Sequence, residues 1–278
     1  MQKALKYVMV ALVAIVSIAS CKKEINFNAK PDPSGNGCSL TTLKADLDLI
    51  GSYTIAFSYD ALGRISKATT GAETNTYAYA ANKITATDQD GYKAEIVLEN
   101  GRAVSSGSAG AVVVGGVSYD YTRKYTYNSD GYLIQVKNYF NGNLSTTDNL
   151  TYANGNLVKA VSVDANLDYT ETTTYTYSSE IAVNTYEISD PLSYHVDYFP
   201  GGYFGKQSKN VLLKSSTKTV DENGDPRTEQ VLTFTSQYDA KGNATSLAFT
   251  AVSSFYAQNG PVETDTYNAK YTLVYTCK

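Results

Sequence analysis

The chain has 278 residues, a formal net charge of −4, 25 tyrosines, no tryptophan, a single histidine and three cysteines. A mildly acidic chain without a basic patch is not built to bind nucleic acid. One histidine and three scattered cysteines make no metal-ligand cluster, and no cofactor is implied.

The chain opens with an address. Lys3 and Lys6 form a short basic region, and Tyr7 to Ile18 is an almost unbroken apolar run. That run is too short to span a bilayer comfortably and has the form of a signal peptide. Ile18-Ala19-Ser20-Cys21 follows, an aliphatic residue, two small residues and a cysteine, which resembles a bacterial lipobox. Residues 1–20 are therefore expected to be removed as a lipoprotein signal peptide. Cys21 becomes the lipidated N-terminus that attaches the protein to a membrane. Cleavage removes two lysines and no acid, taking the net charge from −4 to −6. Residues 21–37, with Pro31, Pro33, Gly35 and Gly37, read as a flexible tether.

Residues 38–278 are expected to form a single β domain, within the size of one all-β unit. Cys38 opens it and Cys277 is the penultimate residue of the chain. In an oxidising compartment they form either a disulfide that clasps the two ends or a pair of buried thiols, and the disulfide is the expected state. Leu40 to Leu49 is ambiguous: Leu40, Leu43, Leu47 and Ile50 have helical spacing, whereas Leu43, Ala45, Leu47 and Leu49 alternate. Strand is preferred, because everything after Ser52 is Tyr, Thr, Val, Ile and Ser in alternation, cut by Gly, Asn and Asp.

The turns predict the register. A three-residue loop at Asp60-Ala61-Leu62-Gly63-Arg64 pairs Asp60 with Arg64 and Tyr59 with Ile65. A two-residue turn at Asn100-Gly101 pairs Glu99 with Arg102 and Leu98 with Ala103. Both place opposite charges at the closing pair and apolar residues behind it, the arrangement that stabilises hairpins. The same rule sets Tyr79 opposite Ile84, Tyr127 opposite Leu133, Tyr139 opposite Leu144, Tyr152 opposite Leu157 and Tyr238 opposite Ala244. Residues 121–163 are then four strands of an antiparallel meander. Ser105 to Gly116 is either a loop or a bulged strand, and Asp221 to Arg227 is a turn or exposed loop.

Tyr59-Asp60-x-x-Gly63-Arg64-Ile65 and Tyr238-Asp239-x-x-Gly242-Asn243 resemble the YD repeat of Rhs and teneurin-like shells, with few and uneven copies. The lipobox, the irregular Tyr-turn hairpins and the segment Phe204-Gly205-Lys206-Gln207-Ser208-Lys209-Asn210 together resemble a family of Gram-negative envelope lipoproteins, a domain of unknown function with a porin-like fold. The resemblance covers most of the mature chain. It implies a barrel-like or strongly curved antiparallel sheet and brings no catalytic or binding residues. The fold expected is all-β, an antiparallel meander of many hairpins, and not a transmembrane barrel. Glu171 to Tyr177, for example, has no apolar face to offer lipid.

Candidate chemistry is sparse. His195 and Asp197 share a strand face, but no nucleophile motif accompanies them, and a surface histidine is the preferred reading. Asn128-Ser129-Asp130-Gly131 reads as a turn, and Asp221 to Asp225 as a turn with a weak surface Ca²⁺ site left open. Gly201-Gly202-x-x-Gly205 is read as a backbone bend. The irregular stretch around His195 collects Tyr194, Tyr198, Phe199, Tyr203 and Phe204, the best candidate for an exposed aromatic binding patch. The function expected is non-catalytic binding or structural work at the outer membrane, periplasmic or surface-exposed, with a glycan or envelope protein as partner. A carrier enclosing an apolar ligand is the alternative, and a hydrolase comes last.

Overall fold

The alternation of the sequence becomes strand along nearly the whole domain. The structure is a computed structural model, and it describes residues 38–48, 51–110, 112–114, 117–165, 169–182, 192, 202–256 and 262–277. The strands are β1 (Cys38–Leu47), β2 (Gly51–Tyr59), β3 (Ile65–Thr70), β4 (Glu73–Ala80), β5 (Lys83–Thr87), β6 (Lys93–Glu99), β7 (Arg102–Ser108), β8 (Val112–Val114) and β9 (Val117–Tyr119). They continue as β10 (Tyr121–Tyr127), β11 (Leu133–Phe140), β12 (Asn143–Ala153), β13 (Asn156–Asp164), β14 (Tyr169–Ile181), β15 (Asn210–Asp221), β16 (Pro226–Tyr238), β17 (Ala244–Phe255) and β18 (Glu263–Cys277). All but β8 and β9 form one closed antiparallel barrel in chain order, sealed where β1 pairs with β18. Closure leaves no free sheet edge. β8 and β9 make a small separate hairpin, so the Ser105–Gly116 stretch ends β7 and then leaves the barrel wall.

Every predicted cross-strand pair is present. Tyr59 faces Ile65, Leu98 faces Ala103, Tyr127 faces Leu133, Tyr139 faces Leu144, Tyr152 faces Leu157, Tyr238 faces Ala244 and Tyr79 faces Ile84. Two turn devices set this register. Asn100-Gly101, Asn141-Gly142 and Asn154-Gly155 have positive φ at both residues, as a type I′ turn requires. The other device recurs at Asp60, Asp88, Asn128, Asp221 and Asp239, each followed three residues later by Gly. In each the backbone N–H of the Asx residue bonds the carbonyl four residues on, and the Gly N–H bonds back to the Asx carbonyl. The Asx side chain accepts from backbone N–H groups inside the turn. At Asp221 this settles the turn reading: its carboxylate is taken up by Asn223 N, Asp225 N and the Arg227 guanidinium.

The ambiguity of Leu40–Leu49 has a structural cause. β1 is a strand with a bulge between Leu40 and Thr42, so Leu40 and Leu43 both turn inward at a spacing of three. A bulge can thus imitate helical periodicity. Cys38 and Cys277 are joined by a disulfide across the β1–β18 pair, clasping the two ends of the domain as expected.

The barrel is filled. Leu43, Ala45, Ile84, Ile96, Leu133, Val136 and Leu157 are completely buried, and the apolar interior divides into two packed clusters. The outward faces are mainly polar, with scattered exposed apolar residues such as Val97, Val163, Val252 and Val274. β14 presents Thr170, Thr172, Thr174 and Thr176, and β18 presents Thr264, Thr266, Asn268, Lys270 and Thr272. β6 presents Lys93, Glu95, Val97 and Glu99.

Candidate functional site

Two regions concentrate structure that the hairpin repeat does not explain. The first is the connection from β14 to β15, which contains the expected aromatic patch. Residues 203–210 run across the tips of three hairpins and are stitched to each. Ala103 N–H donates to Tyr203 O (2.8 Å), Lys206 N–H to Gly131 O (3.1 Å) and Lys209 N–H to Gly155 O (2.9 Å). Asn210 N–H donates to Asn156 Oδ1 (2.8 Å), and Leu157 N–H to Ser208 Oγ (3.2 Å). Phe204 is 4% exposed and meets Tyr125 edge-on at 5.1 Å, and Leu192 belongs to the same core. Gly205 has φ +94, and a Cβ there would stand 2.7 Å from Gly131 O. The Gly-rich bend lets the chain lie flat on the hairpin tips.

This corrects the expectation of exposure at Tyr203 and Phe204. Phe204 is core, and Tyr203 is partly buried against the same core, because the segment plugs one end of the barrel rather than standing off it. Tyr194, Tyr198 and Phe199, like His195 and Asp197, lie outside the described residues, as does Cys21.

The plugged end has a second device that the sequence did not disclose. Neighbouring hairpins splay apart there, and inward tyrosines bridge the gaps. Tyr59 Oη donates to Leu40 O (2.5 Å), Tyr79 to Ile65 O (2.8 Å), Tyr127 to Ala103 O (2.8 Å) and Tyr177 to Leu157 O (2.7 Å). Each hydroxyl replaces a rung the two strands no longer make, satisfying a carbonyl that burial would otherwise strand. Burial pushes the Tyr59 phenol up to about 12 and those of Tyr79, Tyr127 and Tyr203 above their ordinary value.

The second region is a trough on the outer wall. Its cavity is about 420 Å³. Two adjacent outward rows of the sheet line it, with Leu47, Phe249 and Ala269 of the row between them completing the lining. One row is Thr233, Thr250 and Asn268, continued by Asp48; the other is Thr235, Ala248, Lys270, Asp46 and Ser52. Strands β16, β17, β18, β1 and β2 contribute, so the trough straddles the seam where the barrel closes. Part of its polar lining is already bonded. Asn268 donates through N and Nδ2 to Asp48 Oδ2 (2.7 and 3.0 Å) and accepts from Thr250 Oγ1 (2.8 Å). Ser52 Oγ donates to Asp46 Oδ1 (2.5 Å), and Lys44 pairs with Asp46 at 3.0 Å. The Ser52 bond first and Lys44 second hold the Asp46 carboxyl below its usual range, so it is ionised at neutral pH. Thr233, Thr235 and Lys270 are committed to no hydrogen bond or ion pair among the described residues. No sequence signal marks the trough, since its rows combine the first and last strands.

The architecture so described is that of a closed, antiparallel, porin-like barrel. Residues 57–246 match the family model described as a domain of unknown function (DUF4595) with porin-like fold, and the chain belongs to that family. Among solved structures it resembles a porin-like protein from Bacteroides uniformis, with 20% identity and a TM-score of 0.58, covering 87% of this chain and 98% of that one. It also resembles a porin-like protein from Bacteroides vulgatus, with 13% identity and a TM-score of 0.53, covering 85% and 98%. No curated protein matches the chain.

Proposed function

We propose that this protein is a lipid-anchored component of the outer membrane whose barrel stands outside the bilayer and binds a glycan or a protein partner without catalysis. The observation that carries this reading is the inversion of a membrane barrel. A spanning barrel needs an apolar band about 25 Å tall on its outer face. Here the outer rows of β14, β18 and β6 hold mainly Thr, Asn, Lys and Glu, interrupted by single valines such as Val97 and Val274 that form no continuous band, while Leu, Ile and Tyr are mostly turned inward. The lipid on Cys21 would then supply the membrane attachment that the wall does not. The filled interior favours a surface-binding role over a carrier enclosing an apolar ligand.

Two measurements test it. The full chain expressed in a Gram-negative host incorporates labelled palmitate and fractionates with membranes; Cys21→Ala loses the label and becomes soluble. That variant runs as a dispersed folded species without detergent. Aggregation without detergent, with insertion into phosphatidylcholine vesicles, overturns the proposal.

A further inference from the structure

We infer that the outer-wall trough at the barrel seam is a binding site for a neutral, extended saccharide. The inference rests on the surface-binding reading above and names its site and ligand class.

Shape comes first. The trough holds about 420 Å³, within the range of small-ligand sites. It crosses five strands, about 19 Å at the usual strand spacing. That suits an elongated ligand laid across the strands. Ala248 lies in the second row between Thr235 and Lys270, and its small side chain keeps the floor low there.

Chemistry narrows the ligand. The Thr233 and Thr235 hydroxyls and the Lys270 ammonium are donors with no partner among the described residues. The Asp46 and Asp48 carboxylates accept bonds from Ser52, Lys44 and Asn268 and retain further acceptor positions. A ligand that both donates and accepts at short intervals is required, and a sugar's hydroxyls do both. Charge and polarity narrow it further. Lys44 balances Asp46, and Lys270 balances Asp48, so the trough carries no net charge and holds no excess of cations to draw in an anionic chain. An apolar chain would strand the Thr, Asn and Asp groups without partners.

Pre-organisation favours binding. The Asp48–Asn268–Thr250 and Lys44–Asp46–Ser52 chains fix the walls before any ligand arrives. Little side-chain freedom is lost when a ligand docks.

The test is isothermal titration of the full-length lipidated protein, held in detergent micelles, with cellotetraose, maltotetraose and tetra-N-acetylchitotetraose. Tetragalacturonate serves as the anionic control. At least one neutral tetrasaccharide binds saturably and tetragalacturonate does not. Ala248→Phe, which fills the floor, and Lys270→Ala each weaken binding about tenfold or more with the melting temperature unchanged. Should Ala248→Phe fail to fold, Thr235→Arg takes its place and has the same expected effect. Binding of a neutral sugar that survives these substitutions overturns the trough assignment and leaves the broader binding reading standing. Silence from all the neutral sugars overturns the saccharide assignment, and the same silence joined by insertion of Cys21→Ala protein into vesicles overturns both.

Discussion

The two ends of the barrel are built on different principles. At one end the 203–210 segment lies across three hairpin tips, tyrosine hydroxyls bridge the splayed hairpins and the Cys38–Cys277 disulfide fastens the seam. The lining there is Leu, Ile, Phe and Tyr. Toward the other end the Asn141-Gly142 turn is tied, among the described residues, only to its neighbour Asp120, and the inner face becomes polar. Tyr121 bonds Asn138, Asn138 bonds Thr146, Thr173 meets Thr217, and Gln230 reaches Ser253. The lesson is that barrel closure alone does not make a core in a barrel of this width. One end gains stability by bringing in extra chain to fill it, and the other satisfies its polar groups rung by rung.

The largest way to break this asymmetry is to cut the staple. Cys38→Ser with Cys277→Ser removes a cross-link spanning 239 residues. In the chain-entropy model such a loop is worth about 5 kcal/mol. The double variant is expected to melt well below the wild type, and reductant should lower the wild-type melting temperature toward that of the variant. Equal melting with and without reductant would mean that the seam strands hold without the clasp.

Alkaline pH attacks the same end next. The phenols of Tyr59, Tyr79, Tyr127 and Tyr203 are raised chiefly by burial. Their folded values exceed the unfolded value near 10, so the unfolded chain gives up these protons first. The Tyr59 contribution is complete below about pH 10 and drains away as pH rises through about 12, at up to about 1.4 kcal/mol per pH unit, and the other three phenols act in the same direction. Tyrosinate absorbance should rise together with unfolding in a cooperative step. Smooth ionisation of these phenols in a protein that stays folded would show them to be open to solvent.

Unseating the plug is smaller in effect and more local. Gly205→Val puts a branched side chain at φ +94 and drives its Cβ toward Gly131 O, 2.7 Å away. Strain of this kind costs about 1–3 kcal/mol. The matching control at the opposite end is Gly142→Ala, where φ is +77 and nothing lies within 4 Å of the new Cβ. It pays backbone strain without a clash. Hydrogen exchange should accelerate at Ala103, Lys206 and Lys209 in Gly205→Val only, since those amides carry the stitches. Protection unchanged at all three would show that the plug does not depend on the Gly131 contact.

The hairpins were legible from the sequence because their information is local. Asp60 with Arg64, or Glu99 with Arg102, are a few residues apart, and a turn of known length fixes which side chains meet. The plug was not legible, because Tyr203 and Phe204 look alike whether they cover a barrel end or face water. The trough was hidden for a related reason. Cys38 opposite Cys277 tells a reader that the chain ends meet, but counting along from it sets Asp46 against Ala269. The bulge between Leu40 and Thr42 moves Asp46 to Lys270, its true neighbour. A one-residue slip exchanges the two faces of a strand. The outer row could therefore not be assembled without the bulge.

The finest test separates two uses of one repeated motif. Tyr127 and Tyr139 each precede a turn and face a leucine across it, Leu133 and Leu144, so in sequence they are alike. At the plugged end Tyr127 points inward and its hydroxyl holds Ala103 O. At the other end Tyr139 lies on the outer wall with Lys124 Nζ 5.1 Å from its ring centre. Tyr127→Phe removes a buried donor and strands a carbonyl, which costs about 1–2 kcal/mol. Tyr139→Phe keeps the ring and removes a hydroxyl that holds no partner among the described residues, so its stability should equal the wild type. Tyr79→Phe and Tyr177→Phe should behave like Tyr127→Phe, and their costs should add to it, because the three bridges join separate strand pairs. Denaturant midpoints for the four single variants and the triple variant decide it. Equal losses at Tyr127 and Tyr139 would mean that the ring alone stabilises the sheet and that the hydroxyl bridges contribute nothing.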